Sequence, residues 1–165
     1  MVQIRNILVP IDFSTSSYQV FEVGHCLAKH NGANLHLIHV IDPVYYTEQP
    51  KISDLEFIHK IRFENAQEEL RKFKFEVPHS EVEITEVLIE GIPHKEILNY
   101  ARENDIDMIV VASHGWTNLP HMLMGNIADK IMRQADVPVV CVKSNVSVVR
   151  NKEIKRYSYA ENWAG

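Results

Sequence analysis

The chain has 165 residues, enough for one domain with a real core, and its 45% hydrophobic and 24% charged residues suit a globular chain rather than a disordered one. A formal net charge of −5 argues against a nucleic-acid surface as its main business, because phosphate contacts need a basic field. No apolar run reaches membrane-spanning length, the stretch before Asp12 has the pattern of neither a signal peptide nor a span, and Cys26 and Cys141 lack zinc or redox spacing. The expectation is a reduced, cytoplasmic protein with no membrane or nucleic-acid partner and with both cysteines packed in the core.

Along the chain, β-rich apolar runs alternate with helical patterns, which predicts βαβ units. "RNILVPID" reads as the first strand, ending near Pro10. A helix follows through "STSSYQVFEVGHCLAKHNGA", with Ser14 or Ser16 as cap, Val20, Val23 and Leu27 on its apolar face, and Asn31-Gly32 as its stop. "NLHLIHVID" is the second strand, with His36 and His39 on opposite faces. Pro43 to Lys51 reads as a loop, and Ser53 to about Lys74 as a helix that buries Leu55, Ile58, Leu70 and Phe73. "EVEITEVLI" is a third strand, Gly91 and Pro93 precede a third helix, "DMIVVAS" is a fourth strand, "NIADKIMRQA" a helix and "VPVVCVK" a fifth strand.

Five parallel strands joined by right-handed crossovers predict an α/β fold: a single doubly wound five-stranded sheet, order 3-2-1-4-5, with helices on both faces. Ligands of such sheets bind beyond the carboxyl ends of the strands where the order reverses. That crevice would be lined by "PIDFS" after the first strand and by "ASHGWTNLPHMLMGNIADK" after the fourth, which brings Asp12 to a glycine loop a hundred residues away. Gly115 lets a ligand approach the main chain. Gly125-Asn126 stands where a helix begins, with unpaired amides and a dipole that favours a phosphate. Asn126 has a second reading as the helix cap, with Asp129 completing a weak capping box. Asp12 likewise has a second reading, bonding neighbouring backbone amides.

These residues resemble the universal stress proteins. Nucleotide-binding members carry G-x2-G-x9-G-[ST] after the fourth strand, where this chain has Ala112-Ser-His-Gly115, nine residues, then Gly125-Asn126. "ILVPIDFS", "LIHVID", "EGIPHKEIL" and "ADVPVVCV" add to the resemblance, which covers about residues 2–143 and implies one domain over 1–143 with 144–165 as a C-terminal tail. It implies an adenine nucleotide alpha hydrolase-like fold, an adenine nucleotide (ATP or AMP, with Mg²⁺ or Mn²⁺), and a homodimer. It puts Asp12 at the ribose, Pro10 and Ile11 beside the adenine, and the main chain of Val40 on the base. Gly115 and Gly125, with the amides of Asn126 and Ile127, would hold the phosphates, and Ala112 stands at the cofactor site in place of the motif's first glycine. Two departures stand in the motif: alanine at 112, which costs on the order of 1 kcal/mol where a positive φ is required, and asparagine at 126, which lacks the compact hydroxyl.

Three functions follow as alternatives. The chain is a nucleotide-linked stress sensor and regulator; or a scaffold without nucleotide, acting through dimerisation and an unknown protein partner; or a slow ATP hydrolase with Asp12 or His114 as base. No nucleophile elbow or P-loop is present to support catalysis. His114 and His121 flank the glycine loop without helical i, i+4 pairing or cysteine company, so no metal site is expected. The strand around Val139–Val142 is expected at a sheet edge, where a second copy would cover it. The tail carries four basic residues with Tyr157, Tyr159 and Trp163, and reads as disordered or as an arm docked on the domain or on a partner subunit.

Overall fold

Strands β1 (Asn6–Pro10), β2 (Asn34–Ile41), β3 (Ile84–Glu90), β4 (Met108–Ala112) and β5 (Val139–Val142) pair in parallel in the order β3-β2-β1-β4-β5. The computed structural model describes residues 3–43, 52–77, 81–114 and 124–143. Residues 44–51, the stretch 115–123 with Gly115, Trp116 and His121, and the tail from 144 lie outside the described residues.

Helices α1 (Thr15–Asn31), α2 (Ile52–Glu76), α3 (Pro93–Glu103) and α4 (Asn126–Gln134) make the crossovers. Alternation along the strands sorts their side chains to two faces. Ile7, Val9, Leu35, Leu37 and Val110 meet Val20 and Phe21 of α1 and Leu70 and Phe73 of α2 on one side. Leu8, Ile38, Ile109 and Val111 meet Ile97 and Leu98 of α3 and Ala128 and Ile131 of α4 on the other. Each fully buried aliphatic chain stabilises the fold by about 1.5–3 kcal/mol relative to exposure. Because both faces are covered, the central strands read as continuous apolar runs.

The helices end where the chemistry requires. Gly32 takes the left-handed conformation (φ 63°), and its N–H and that of Ala33 both reach the carbonyl of Ala28, so α1 stops as expected. Pro93 opens α3 at a position where a missing N–H costs nothing. The second helix is longer than periodicity suggested, and its two halves differ: Leu70 and Phe73 are buried, whereas Leu55 and Ile58 are only half-buried. Neither cysteine belongs to the buried core. Cys26 is exposed on the outer face of α1 and Cys141 half-buried on β5, contrary to the packing expected of them.

Candidate functional site

The pairing of β1 with β4 ends early because β1 loses its hydrogen-bond donors on that side. Successive peptide groups of a strand point to opposite neighbours. The amide of Ile11 bonds Ile38 of β2 at 2.9 Å, so odd residues here face β2, while Pro10 and Asp12 face β4. Pro10 has no N–H, and the N–H of Asp12 is taken by the hydroxyl of Ser17 at 3.0 Å. The pairing of β1 with β4 accordingly ends with Ile7↔Met108 and Leu8↔Ile109, whereas the pairing with β2 runs on to Pro10↔Ile38.

Asp12 organises the turn into α1. Its Oδ1 accepts from the backbone N–H of Ser14 at 3.0 Å and from the hydroxyl of Ser17 at 2.9 Å. Ser17 therefore bonds Asp12 twice, accepting from its amide and donating to its carboxylate. Ser14 holds the cap position of α1 as expected but makes no side-chain cap bond, and its buried hydroxyl has no partner among the described residues. Phe13, between them, adopts φ 61°. For a residue with a side chain that left-handed turn costs about 1–2 kcal/mol, offset by stacking of its ring on His39 at 4.3 Å and tilted packing on Phe73 at 6.4 Å.

The second strand contributes His39 and Val40. The Nδ1–H of His39 donates to the carbonyl of Ile11 at 2.9 Å, which fixes the neutral ring's tautomer. Burial holds this imidazole below the ordinary histidine range, against the upward pull of the Ile11 carbonyl and Asp12. Asn34 and Ile38 bond β1 and Leu35 and Ile41 bond β3, so Val40 turns its amide and carbonyl toward β1, past the point where β1 has left the sheet. Among the described residues the Val40 amide has no partner. His36 lies on the opposite face, as expected, and meets the Tyr100 hydroxyl at 2.8 Å, so both histidines are packed and bonded.

The fourth strand supplies the opposite wall. Ile109 and Ser113 bond toward β5, so the carbonyls of Val110 and Ala112 face β1, whose two donors there are missing or used elsewhere. Ala112 lies within the strand and is not among the residues with positive φ; its methyl packs on the core beneath α1 and α2. The backbone strain considered for this alanine is therefore absent. Gly125 follows at the mouth of the crevice. Its N–H donates to the Ser113 carbonyl at 2.7 Å, and a Cβ there would sit 3.2 Å from that same oxygen. Close approach, rather than an unusual φ (−70°), is what this position asks of glycine.

Gly125 is the cap of α4 and Asn126 its first helical residue, so the expected capping box does not form; Asp129 instead pairs with Arg133 at 2.9 Å. Ile127 is 43% exposed beside Asn126. The fold thus brings Pro10, Ile11, Asp12, Val40, Ala112, Gly125, Asn126 and Ile127 to the carboxyl end of the sheet, and Gly115 lies outside the described residues. His39, Phe13 and Ser17 were not singled out from the sequence for this site. The alternation of β2 and the serine-rich start of α1 were the signals that point to them. Among the described residues no three histidine, cysteine or acidic side chains are grouped to hold a metal, and no helix is long and apolar enough to cross a membrane.

The family model of the universal stress proteins matches residues 3–143. A universal stress protein of Methanocaldococcus jannaschii is 30% identical over 139 residues, which are 84% of this chain and 82% of that protein. The solved universal stress protein UspA of Lactobacillus plantarum has the same fold, with a TM-score of 0.75 at 23% identity over 86% of this chain and 99% of that one. The universal stress protein of Archaeoglobus fulgidus in complex with dAMP matches with a TM-score of 0.53 at 22% identity over 87% of this chain and all (100%) of that one. Motif order, strand order and these matches agree: the chain belongs to the universal stress protein family.

Proposed function

We propose that this chain binds an adenine nucleotide, ATP or AMP, in the crevice beyond β1 and β4, and works as a cytoplasmic sensor and regulator in a stress response. One observation carries the reading: the Val40 peptide groups and the Val110 and Ala112 carbonyls face a gap in the sheet from which β1 withholds its partners. A purine edge, which presents donors and acceptors side by side, is the chemistry such main-chain groups recognise. The family's Archaeoglobus member with dAMP supports this class of ligand.

In this reading Asp12 meets the ribose, Pro10 and Ile11 flank the base, Val40 reads its edge with Ala112 lining the same wall, and Gly115, Gly125 and the amides of Asn126 and Ile127 hold the phosphates. The residues present fit the group. Gly125 leaves room that a Cβ would fill, and without a side chain it puts no cap across the first amides of α4. An accompanying Mg²⁺ or Mn²⁺ would be held mainly through the phosphates, as is usual for Mg²⁺ at nucleotide sites. In this reading the chain's own residues bind and orient the nucleotide.

The same proposal includes a homodimer. β5 stands at the edge of the sheet with Val139, Val140 and Cys141 only half-buried, and an edge of this kind is a pairing template that a second copy would cover. Regulation would then pass to a protein partner through a ligand-dependent surface. Mass spectrometry of small molecules released from the denatured protein, followed by calorimetric titration with ATP and Mg²⁺, tests the binding. Co-purified AMP or ATP, or micromolar binding lost in Asp12→Ala and Gly125→Val, is the expected result. No ligand and no heat at millimolar ATP would leave the scaffold reading, with dimerisation as its basis.

A further inference from the structure

The nucleotide reading above leaves open why the Val40 amide is bare at all. In a regular parallel ladder the rung after Ile11 N–H to Ile38 O is Val40 N–H to Ile11 O. That rung is not made, and the Ile11 carbonyl accepts instead from the Nδ1–H of His39 at 2.9 Å. The ring is clamped in place: Phe13 lies against it with ring centroids 4.3 Å apart, and Phe13 can do so because its backbone turns left-handed at φ 61°. The same turn takes β1 out of the plane of the sheet just where Val40 would otherwise be covered. The side chain of one residue therefore replaces the main-chain donor of the next.

We infer that His39 is a positioning residue of the nucleotide site: its bond to the Ile11 carbonyl, with Phe13 clamped on its ring, holds that carbonyl off the Val40 amide, which stays unpaired and faces the crevice, where a ligand's acceptor takes it. His39 itself is placed against Ile11 and Phe13 and acts on the ligand through Val40. The donor at Nδ1 is what the arrangement needs, so the side-chain N–H of asparagine, at the same distance along the chain from Cα, substitutes for it. Leucine, of similar bulk and without a donor, does not. The inference rests on the nucleotide reading for its ligand but not for its hydrogen bond, and two measurements separate them.

The first is amide hydrogen exchange at Val40 in the ligand-free protein. In wild type and in His39→Asn this amide exchanges as an unbonded group. In His39→Leu the free Ile11 carbonyl accepts it, and exchange slows by about tenfold or more relative to neighbouring amides. The second is the affinity for ATP, with AMP as the alternative probe. His39→Leu is expected to bind about tenfold more weakly than wild type and His39→Asn within about threefold of it. Circular dichroism and urea unfolding show whether both variants are folded, and Asn rescue separates positioning from mere packing. Unchanged Val40 exchange in His39→Leu, equal affinity of wild type and His39→Leu, or equal weakening in both variants would overturn the inference. Wild-type protein that binds neither nucleotide would overturn the nucleotide reading and with it the ligand named here, while the exchange experiment still decides the hydrogen bond.

Discussion

The two sides of β1 are built from the same five residues and behave differently. Toward β2 the register runs through five pairs, Asn6↔Asn34 to Pro10↔Ile38, and the rung from Ile11 extends it. Toward β4 only Ile7↔Met108 and Leu8↔Ile109 are paired. Nothing in the apolar packing accounts for the contrast, since Leu8 and Val9 are both fully buried. The difference lies in which peptide faces which neighbour. A proline and an amide diverted to Ser17 fall on the β4 side, and the seam parts there. A parting of strands in a parallel sheet can thus be made by removing donors from one strand, with no change in the core.

The closed seam should be the costlier one to damage. Ile38, fully buried against α3 and α4, is replaced by alanine at an expected loss of about 2–5 kcal/mol, read from urea unfolding. A loss below about 1 kcal/mol would mean that this side of the sheet does not carry the core. Next comes the junction: Asp12→Ala removes a carboxylate that accepts from Ser14 and Ser17, at an expected cost of about 1.5–3 kcal/mol. Its isostere Asp12→Asn should recover a part of it, and equal stability of all three proteins would show that the turn is held by other contacts.

Pro10→Ala tests the open seam directly. It restores a donor opposite the Val110 carbonyl, so stability should change by less than about 1 kcal/mol while the crevice narrows and ATP affinity falls about tenfold. Unaltered affinity with a protected new amide would show that the gap does not have to stay open for binding. The smallest effect is one of pH. Burial lowers the pKa of His36, and also that of His39 despite Ile11 and Asp12. The unfolded chain therefore takes up protons first, from about pH 6.5 downward, and binds more of them than the native state. Stability from these groups is complete above that value and falls as the pH drops below it. Urea midpoints should decline over that window, and His36→Asn should flatten a part of the slope; a profile equally steep in the variant would assign it to other groups.

Strand order, the two-faced core and the family were legible because they rest on apolar alternation and on motifs that recur in order along the chain. The edges of the site were less so. That Asn126 is the first residue of α4 rather than its cap depends on Gly125 reaching Ser113, a contact between residues twelve apart that no local pattern announces. That alanine at 112 carries no backbone strain depends on its lying inside β4, where φ is ordinary. His39 was visible only as one of two histidines on opposite faces, since the carbonyl it bonds belongs to another strand. The outward position of Cys26 could have been read from its place opposite Val20 and Phe21 around α1.

The place of β1 in the sheet also sets a timetable. Of the five strands it is made first yet sits at the centre of the sheet, with its neighbour on one side about thirty residues away and on the other about a hundred, as the pairs Ile7↔Leu35 and Ile7↔Met108 record. The β1, β2 and β3 half can pair while synthesis continues, but the edge of β1 that will meet β4 stays open until that later segment emerges. During that interval the donor-poor end created by Pro10 and Asp12 offers an incoming foreign strand fewer partners than a regular edge would. The feature that shapes the crevice in the finished protein also guards the unfinished one.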